Sequence, residues 1–364
     1  MGKRGKKVFI TFREIDRKVI CSMPIKRISS SDPRWLEFIN TRPESNAFHH
    51  PYWLINLEDS YQYQTFIIVL ENEQQQIIAG VPMAEVNSIL TGRRWVSLPF
   101  SDYCPPLAEN EQALNDLTDG LIKISLDTKS PKIELRWEYP TRPEIIPTYE
   151  NVYHIGHFCK ATEKETFMQF RYSNRRYILK TLESGVHIEM GTSEEFVERF
   201  YDLHCYTRRR LGMPVQPWNY FKNLGKNVLE KGLGKIILAF ADGNCIAGNV
   251  FLHYQKKLIV KYRASGKVNL TKVHPNYLLD WEAIKWGCAN GYDTFEHGRC
   301  DIDDESLRQY KNQWGYKEKP LTYSYIGSNP EKKSELFGVM NLIIRRSPIW
   351  VCRTAGELLY RHVG

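Results

Sequence analysis

The chain has no apolar run long enough to cross a membrane. Nowhere do about 18 apolar residues stand in a row, the usual minimum for a spanning helix. The basic start, Met1–Lys7, is followed by a short apolar run that Arg13, Asp16 and Arg17 interrupt, so it lacks the pattern of a signal peptide. We therefore expect a cytoplasmic protein that meets a membrane, if at all, peripherally and from its inner face.

Signatures of metal binding and covalent catalysis are also missing. The G-x-S-x-G pattern of serine hydrolases does not occur, and no Cys–His nucleophile arrangement can be recognised. The cysteines form neither a CxxC pair nor a zinc-like spacing with histidine, so we expect no metal. Several lie in apolar stretches, where a free thiol behaves as a small core residue, which favours a reducing compartment. The eight cysteines stand at positions 21, 104, 159, 205, 245, 288, 300 and 352.

What the sequence does contain is typical of a folded, basic protein. Its 364 residues are 42% apolar and 13% aromatic, which indicates a globular chain and, at this length, two domains. The net charge of +8 comes from 50 basic and 42 acidic residues. Such a charge suits a partner that carries phosphates or carboxylates, or an anionic membrane surface, and does not choose between them.

The C-terminal half alternates strands and helices in a fixed order. An Asp242-Gly243 turn between apolar runs predicts a hairpin, because both residues tolerate positive φ. A strand, loop, helix, strand, helix and strand then follow within residues 258–326. The N-terminal half repeats this order: Ile78-Ala79-Gly80 stands in its first hairpin as Ile246-Ala247-Gly248 does in the second, 168 positions later. The pattern predicts a tandem duplication of one α/β unit.

We therefore predict an α/β (α+β) fold of two like units, each with a mixed central sheet flanked by helices. The Pro-rich stretch 139–147 is the expected boundary. It gives an N-terminal unit over 1–147, a C-terminal unit over 148–328 and a basic helical tail over 329–364. A basic helix is predicted over 166–185.

Short motifs recur through residues 30–326, and in number and order they resemble one protein family. They are Phe48-His-His-Pro-Tyr-Trp53, Ser97-Leu-Pro-Phe-Ser-Asp-Tyr103, Arg175-Arg-Tyr-Ile178 with Gly185, Thr207-Arg-Arg-Arg-Leu-Gly-Met-Pro214, Lys261-Tyr-Arg-Ala-Ser265, Pro275-Asn-Tyr-Leu-Leu-Asp-Trp281, His297-Gly-Arg299, Tyr310-Lys311 and Trp314-Gly315. The chain resembles the FemAB-related, GNAT-fold acyltransferases that accompany bacterial exopolysaccharide and PEP-CTERM gene clusters. Two departures are mild: relatives usually carry Phe at the positions of His297 and Tyr310.

The resemblance implies a duplicated GNAT fold and an N-acyltransferase. Such an enzyme would move an acetyl, acyl or aminoacyl group to an amine of a cell-envelope or exopolysaccharide precursor. The better-characterised Fem branch transfers aminoacyl groups from tRNA to a peptidoglycan-precursor amine. The expected donor is acyl-CoA or aminoacyl-tRNA, without a metal. Residues 148–328 would form the donor side, and the first unit the acceptor side.

The loop that would bind coenzyme A is unusual. GNAT enzymes that use this donor cradle its pyrophosphate in a glycine-rich loop at the start of a helix. Here the loop Ser265–Pro275 has one glycine and two lysines, and it lacks the R/Q-x-x-G-x-G/A pattern. Either the helix start at Asn276 still binds phosphate with help from Lys267 and Lys272, or the donor is not acyl-CoA.

Several basic residues are candidates for substrate binding, each with a simpler alternative. Arg175 and Arg176 clamp a phosphate or carboxylate, or they form a solvated helix face. Arg208 either binds substrate, or it interacts with the negative C-terminal end of the dipole of its helix. Lys261 and Arg263 share one face of a strand, which borders a cleft or solvent.

The remaining candidates follow strand ends. His297 and Arg299 lie where open α/β sheets bind ligands, and His297 is either a general base or a structural histidine. Lys311, on the next helix, suits a phosphate contact. Asp102 either forms a turn or binds the acceptor amine and takes its proton. Tyr262, on the other face of the Lys261 strand, completes the catalytic candidates Asp102, Tyr262 and His297.

Three functions remain open from the sequence. The first is amide formation by direct attack of the amine, with no covalent enzyme intermediate. The second is a catalytically inactive duplicate that binds an anionic polysaccharide precursor or a synthase partner. The third is nucleic-acid binding by the basic helices, which would include tRNA as the donor. The Arg-rich tail either packs on the second unit or lies on an anionic membrane.

Overall fold

The computed structural model describes residues 25–89, 92–126, 131–267, 273–327 and 336–362, in which thirteen strands pair into one sheet. The first half of the chain supplies seven of them. Its elements are β1 (Ile25–Ser29), α1 (Pro33–Asn40), α2 (Pro51–Tyr61), β2 (Gln64–Glu71), β3 (Ile77–Ser88), β4 (Gly92–Val96), β5 (Leu107–Ala108), α3 (Glu111–Ser125), β6 (Lys132–Leu135) and β7 (Ile145–Gly156).

The second half supplies the other six strands and most of the helices. Its elements are α4 (Glu163–Met168), α5 (Tyr172–Glu183), β8 (His187–Gly191), α6 (Glu194–Leu211), α7 (Trp218–Leu224), β9 (Gly234–Ala241), β10 (Asn244–Tyr254), β11 (Lys257–Ser265), α8 (Pro275–Ala289), β12 (Thr294–Asp301), α9 (Glu305–Gln313), β13 (Lys317–Ile326), α10 (Leu336–Arg346) and α11 (Ile349–Leu359). A wide helical turn, Gly225–Leu233, joins α7 to β9.

The strand order shows the duplication. It runs β1-β2-β3-β4-β6-β13-β7-β12-β11-β10-β9-β8, with β5 attached to β3. In each half four antiparallel strands are followed by one strand parallel to the fourth, β6 beside β4 and β12 beside β11. The last strands are exchanged, because β13 pairs with β6 and β7 pairs with β12. The predicted tandem α/β fold is confirmed, and the exchange ties the two halves into one sheet.

The repeated Ile-Ala-Gly motif has a packing role. Gly80 and Gly248 lie on the third strand of their halves, β3 and β10. A Cβ on Gly80 would lie 2.8 Å from a ring atom of Trp35 in α1, and one on Gly248 would lie 3.1 Å from the ring of Phe200 in α6. In both halves glycine lets an aromatic side chain from a helix pack directly on the sheet.

Both halves share one core on the face that α1, α2, α6 and α7 cover. Trp53 and Leu57 of α2 belong to the same buried cluster as Phe221 of α7 and Val250 of β10. The opposite face carries a separate core in each half, under α3 and under α8. Shared burial of this kind holds the two halves at a fixed angle, which a site built from both of them requires.

Several local predictions were wrong for identifiable reasons. The helix expected over 166–185 is two helices, because Phe170 turns into the core and packs against Trp314 with ring centroids 5.0 Å apart. β4 ends at Val96, and beyond it Leu98 and Phe100 adopt positive φ. The boundary at 147/148, which stays a prediction, falls inside β7.

Two cysteines predicted to be free are paired. A disulfide joins Cys159, after β7, to Cys288 on α8, with their Cα atoms 5.4 Å apart. Within the described ranges the other cysteines are free thiols, at positions 104, 205, 245, 300 and 352. No helix in these ranges is both long and apolar enough to span a bilayer.

Candidate functional site

The site forms where β11 and β12 part. These parallel strands pair only over Lys257–Ile259 and Thr294–Glu296, and beyond that point they diverge. A loop of the first half reaches into this region after β4. Its two residues with positive φ, Leu98 and Phe100, turn the chain so that Asp102 faces the second half.

Asp102 meets Lys261 at this junction. Lys261 Nζ lies 3.0 Å from Asp102 Oδ1, and their side chains are 6% and 16% exposed. Burial lowers the pKa of Lys261, while Asp102 opposes the shift. The second carboxylate oxygen, Asp102 Oδ2, is buried and has no hydrogen-bond partner among the described residues. A buried carboxylate oxygen without a donor is costly, so this atom is a candidate for contact with a ligand.

Gly298 and Lys311 complete the floor of the junction. Gly298 has a φ of +63°, and a Cβ there would lie 3.1 Å from Asp102 Oδ2, so both the backbone and the space favour glycine. The carbonyl of Gly298 accepts a hydrogen bond of 3.0 Å from Lys311 Nζ. Lys311 is buried on α9, and that burial lowers its pKa. Lys261, Lys311 and Asp102 thus surround one short backbone segment.

A pocket of about 610 Å³ adjoins the junction and is lined by Arg136, Arg208 and Arg299. Arg299 Nη1 donates to the hydroxyl of Tyr323 over 3.3 Å, and that hydroxyl donates to the carbonyl of Asp102 over 2.6 Å. The pocket wall and the Asp102 loop are therefore directly connected. Arg299 is exposed, which leaves its charge available to an anion.

The loop and the far wall of the pocket are held by further arginines. Arg136 Nη1 donates to the carbonyl of Ser101 over 2.9 Å, which fixes the residue before Asp102. Arg208 Nη2 donates to the hydroxyl of Tyr360 over 2.7 Å. Tyr360 follows α11, so the tail helps to form the pocket and packs on both halves.

Arg263 lies next to this site but is committed to a buried ion pair. Its guanidinium donates to Asp280 of α8, which is 1% exposed, and lies 2.8 Å from His297 Nε2. Asp280 also accepts a hydrogen bond from Tyr310 over 2.6 Å. Burial would raise the pKa of Asp280, but Arg263, His297 and Tyr310 outweigh it and hold that pKa at about 2.

Comparison with known proteins agrees with this architecture. The sequence profile of the acetyltransferase (GNAT) domain family matches residues 168–317, which include β11, β12 and Lys311. A curated relative, the UDP-N-acetylmuramoylpentapeptide-lysine N(6)-alanyltransferase of Weissella viridescens, is 22% identical over 180 residues. This match covers 48% of the chain and 52% of the relative, so the chain spans about half the length of that protein.

Solved structures extend the likeness to both halves. The crystal structure of FemX superposes with a TM-score of 0.64 at 14% identity and covers 83% of this chain and 97% of FemX. The chain therefore has the fold of FemX, and its residues 168–317 match the GNAT domain family. A tandem GNAT protein from the clavulanic acid biosynthesis pathway superposes with a TM-score of 0.51 at 8% identity, covering 84% of this chain and all of that one. Both likenesses concern the fold.

Side chains of both strands occupy part of the gap between β11 and β12 and the start of α8. The gap between β11 and β12 is bridged by Arg263, which reaches His297 and Asp280. At the start of α8, the ring of His274 packs against that of Tyr177 in a tilted arrangement, with ring centroids 4.1 Å apart. Lys272 lies outside the described residues. Beyond Ile259 the edge of β11 that faces β12 carries no ladder pairing among the described residues.

The predicted site residues fall into four groups, and their roles stay predictions. Asp102, Lys261, Arg299, Lys311 and Arg208 come together at the junction and its pocket.

His297 and Arg263 form the buried ion-pair cluster, where burial lowers the pKa of His297 to about 4. Such a histidine is neutral near pH 7 and has the properties of a structural residue, the simpler alternative for this position.

Tyr262 lies on the other side of β11. Its hydroxyl is 2.8 Å from that of Tyr220 and 3.3 Å from Gln216 Nε2.

Arg175, Arg176 and Asn276 lie apart from the junction. Arg175 and Arg176 line a separate groove of about 510 Å³ along α5. Asn276 lies at the start of α8, and His274, the residue before this helix, contacts α5 through the ring of Tyr177.

Sequence reasoning missed Arg136 and Asp280. Arg136 directly follows β6, the strand that corresponds to β12, so the duplication itself could have drawn attention to it as the counterpart of Arg299. Asp280 was visible as a charge within Leu278-Leu279-Asp280-Trp281, a stretch that is otherwise apolar.

Proposed function

We propose that this chain is an N-acyltransferase that moves an aminoacyl group from tRNA to a primary amine of a cell-envelope or exopolysaccharide precursor. The observation that carries the proposal is Asp102 Oδ2, a buried carboxylate oxygen that lacks a donor at the junction of the two halves. The naming of the Weissella viridescens relative as an alanyltransferase supports the aminoacyl group. The loop Ser265–Pro275, which lacks the R/Q-x-x-G-x-G/A pattern of GNAT enzymes that use coenzyme A, supports tRNA over acyl-CoA.

The proposed chemistry needs one proton acceptor and one cationic environment. The amine nitrogen attacks the ester carbonyl of the donor, a C–N bond forms, and the C–O bond to the ribose breaks. Asp102 takes the proton that the attacking nitrogen loses, and the ion pair with Lys261 holds this carboxylate in position. The released ribose oxygen takes up a proton in turn. Arg299 faces the charge that develops on the carbonyl oxygen or the phosphate next to it.

The pocket beside Asp102 is the proposed acceptor site. Three arginines line it, at positions 136, 208 and 299, which suits a precursor that carries phosphate or carboxylate. Either a peptide or a sugar can carry the acceptor amine, and the pocket favours neither. The exopolysaccharide assignment rests on the sequence resemblance.

Single-turnover transfer of labelled alanine from alanyl-tRNA tests the proposal. The acceptors are the lysine-containing muramoyl pentapeptide that the relative's name specifies and glucosamine-bearing oligosaccharides. Asp102→Asn keeps the shape of the side chain but loses the proton acceptor, so we expect a rate about 10²- to 10⁴-fold lower. Asp202→Asn is the matched control, because that side chain is 79% exposed on α6.

An unchanged transfer rate in Asp102→Asn would show that Asp102 is not the proton acceptor. The second candidate function, an inactive binding protein, is favoured by the lack of a glycine-rich phosphate-binding pattern in the loop Ser265–Pro275. It predicts saturable binding of an anionic oligosaccharide with no transfer from either alanyl-tRNA or acetyl-CoA.

A further inference from the structure

The two tail helices expose an apolar surface that no described part of the chain covers. Leu342 and Ile343 on α10 are 52% and 58% exposed, and Trp350 and Leu358 on α11 are 68% and 65% exposed. Trp350 and Leu358 are eight positions apart and therefore share one helix face. The other eight tryptophans of the chain are buried or half-buried. We call these four residues the tail face.

Basic residues surround the tail face. Arg345 and Arg346 end α10, Arg361 follows α11, and all three are exposed. The end of α6 continues the surface, since Arg345 Nη2 donates to the carbonyl of Leu211 over 3.4 Å. Leu211 and Met213 are themselves 42% and 40% exposed. Glu357 is an exposed acid on α11, so arginine outnumbers it three to one around the face.

We propose that the tail face binds the surface of an anionic lipid bilayer. Each helix has 11 residues and is about 16 Å long, too short to span a membrane but long enough to lie in its interface. Leucine, isoleucine and tryptophan would enter the boundary between head groups and acyl chains, while arginine meets the lipid phosphates.

Two other occupants fit the surface less well. A two-fold dimer would bring the same patch of two copies together and place arginine against arginine, which is unfavourable. RNA would use the arginines but would leave Leu342, Ile343 and Leu358 without apolar contacts, because only Trp350 offers a stacking ring. A bilayer satisfies both the apolar and the basic residues.

The inference deepens the proposed function, because the same helices line the acceptor pocket. Met340 and Asn341 of α10, Leu359 of α11 and Tyr360 all border it. On α10 the pocket residues immediately precede Leu342 and Ile343. Docking through the tail face would therefore bring the acceptor pocket to the membrane, where a lipid-borne amine could enter. This consequence rests on the proposed function, whereas the membrane contact can be measured without any transfer reaction.

Vesicle flotation with the full chain tests the membrane contact. The probes are vesicles of phosphatidylcholine alone and vesicles with about 30% phosphatidylglycerol. We expect the partition constant to rise about tenfold or more with the anionic lipid and to fall again in high salt. The fluorescence of Trp350 should shift to shorter wavelength on binding, and Trp350→Phe should remove that shift.

Variants distinguish the tail face from nonspecific adsorption. Leu342→Ser with Ile343→Ser, and separately Arg345→Glu with Arg346→Glu, should each lower binding about tenfold or more. Leu126→Ser is the control, because Leu126 is 69% exposed in the other half of the chain. Circular dichroism and the urea midpoint establish that each variant is folded.

Three results would overturn the inference. The first is no binding of the folded wild type to anionic vesicles, and the second is an equal loss in Leu126→Ser. The third is a concentration-dependent dimer that Leu342→Ser with Ile343→Ser dissociates, which would assign the tail face to a second copy. Failure of alanine transfer would leave the vesicle result intact, so the two proposals fail separately.

Discussion

The buried ion pair of Arg263 and Asp280 gives a sharp test of how the second half is held together. Asp280 is 1% exposed and Arg263 is 22% exposed, and one carboxylate accepts hydrogen bonds from Arg263, Tyr310 and Asn249. Asp280→Leu removes the negative charge and leaves the guanidinium with His297 as its nearest polar neighbour. Removing one partner of a buried pair costs about 3–5 kcal/mol, and the partial exposure of Arg263 favours the lower end.

The double variant separates charge from packing. Arg263→Met with Asp280→Leu removes both charges at once, so no uncompensated charge stays buried. We expect the double variant to be more stable than Asp280→Leu alone, with a coupling energy of about 2 kcal/mol or more. The free energy of unfolding of the four proteins is measured by urea denaturation followed by circular dichroism.

The matched control is an exposed pair with a similar contact. Arg199 and Glu195 lie 2.9 Å apart on α6 with side chains 45% and 67% exposed. Because solvent screens such pairs, Glu195→Gln should hardly move the urea midpoint. Two results would contradict this expectation. One is a decrease in the free energy of unfolding in Asp280→Leu no larger than that in Glu195→Gln, and the other is strictly additive changes from Arg263→Met and Asp280→Leu.

Three further predictions follow from the structure. Burial lowers the pKa of His297 from 6.5 to about 4. Between about pH 6.5 and 4 the unfolded chain therefore binds a proton on His297 that the folded chain does not bind. The free energy of unfolding falls over this range by about 3 kcal/mol for this residue. His297→Phe should flatten the pH dependence of the urea midpoint, and an unchanged slope would contradict this. Gly80→Ala places a Cβ against Trp35 and should cost about 1–3 kcal/mol, whereas Gly266→Ala, with its nearest atom at 3.5 Å, should cost little in the same urea titration. Arg299→Glu should weaken alanyl-tRNA or anionic-precursor binding about tenfold or more in filter assays, while Arg176→Glu, in the separate groove along α5, should not; the reverse result would place the site on α5.

The duplication could be read from the sequence because it is local. The Ile-Ala-Gly repeat and the order of elements recur in each half, and the Asp242-Gly243 turn has the positive φ at both residues that the hairpin requires. The same reasoning predicted α8 and the strands before it. These features depend on residues close together in the chain.

The exchange of β7 and β13 was not predictable, because the sequence of a strand does not determine which strand it pairs with. The pairing of both strands is decided by contacts between residues more than a hundred positions apart in the chain. The arrangement of the site residues was not predictable for the same reason. Lys261, Arg299 and Lys311 were candidates from the sequence, but the contact of Lys261 with Asp102 depends on the loop after β4. Positive φ at Leu98 and Phe100 sets the path of that loop, and neither residue type suggests it.

Photo-crosslinking tests the central claim, that the acyl end of the donor lies at the junction of the two halves, most directly. The probe is tRNA charged with an alanine analogue that carries a diazirine, and mass spectrometry locates the crosslinked peptides. The account predicts crosslinks to the peptides that contain Asp102 and Gly298–Arg299, and their loss when unlabelled alanyl-tRNA competes. Crosslinks confined to Arg175 and Arg176 on α5, or crosslinks that acetyl-CoA rather than alanyl-tRNA displaces, would contradict it.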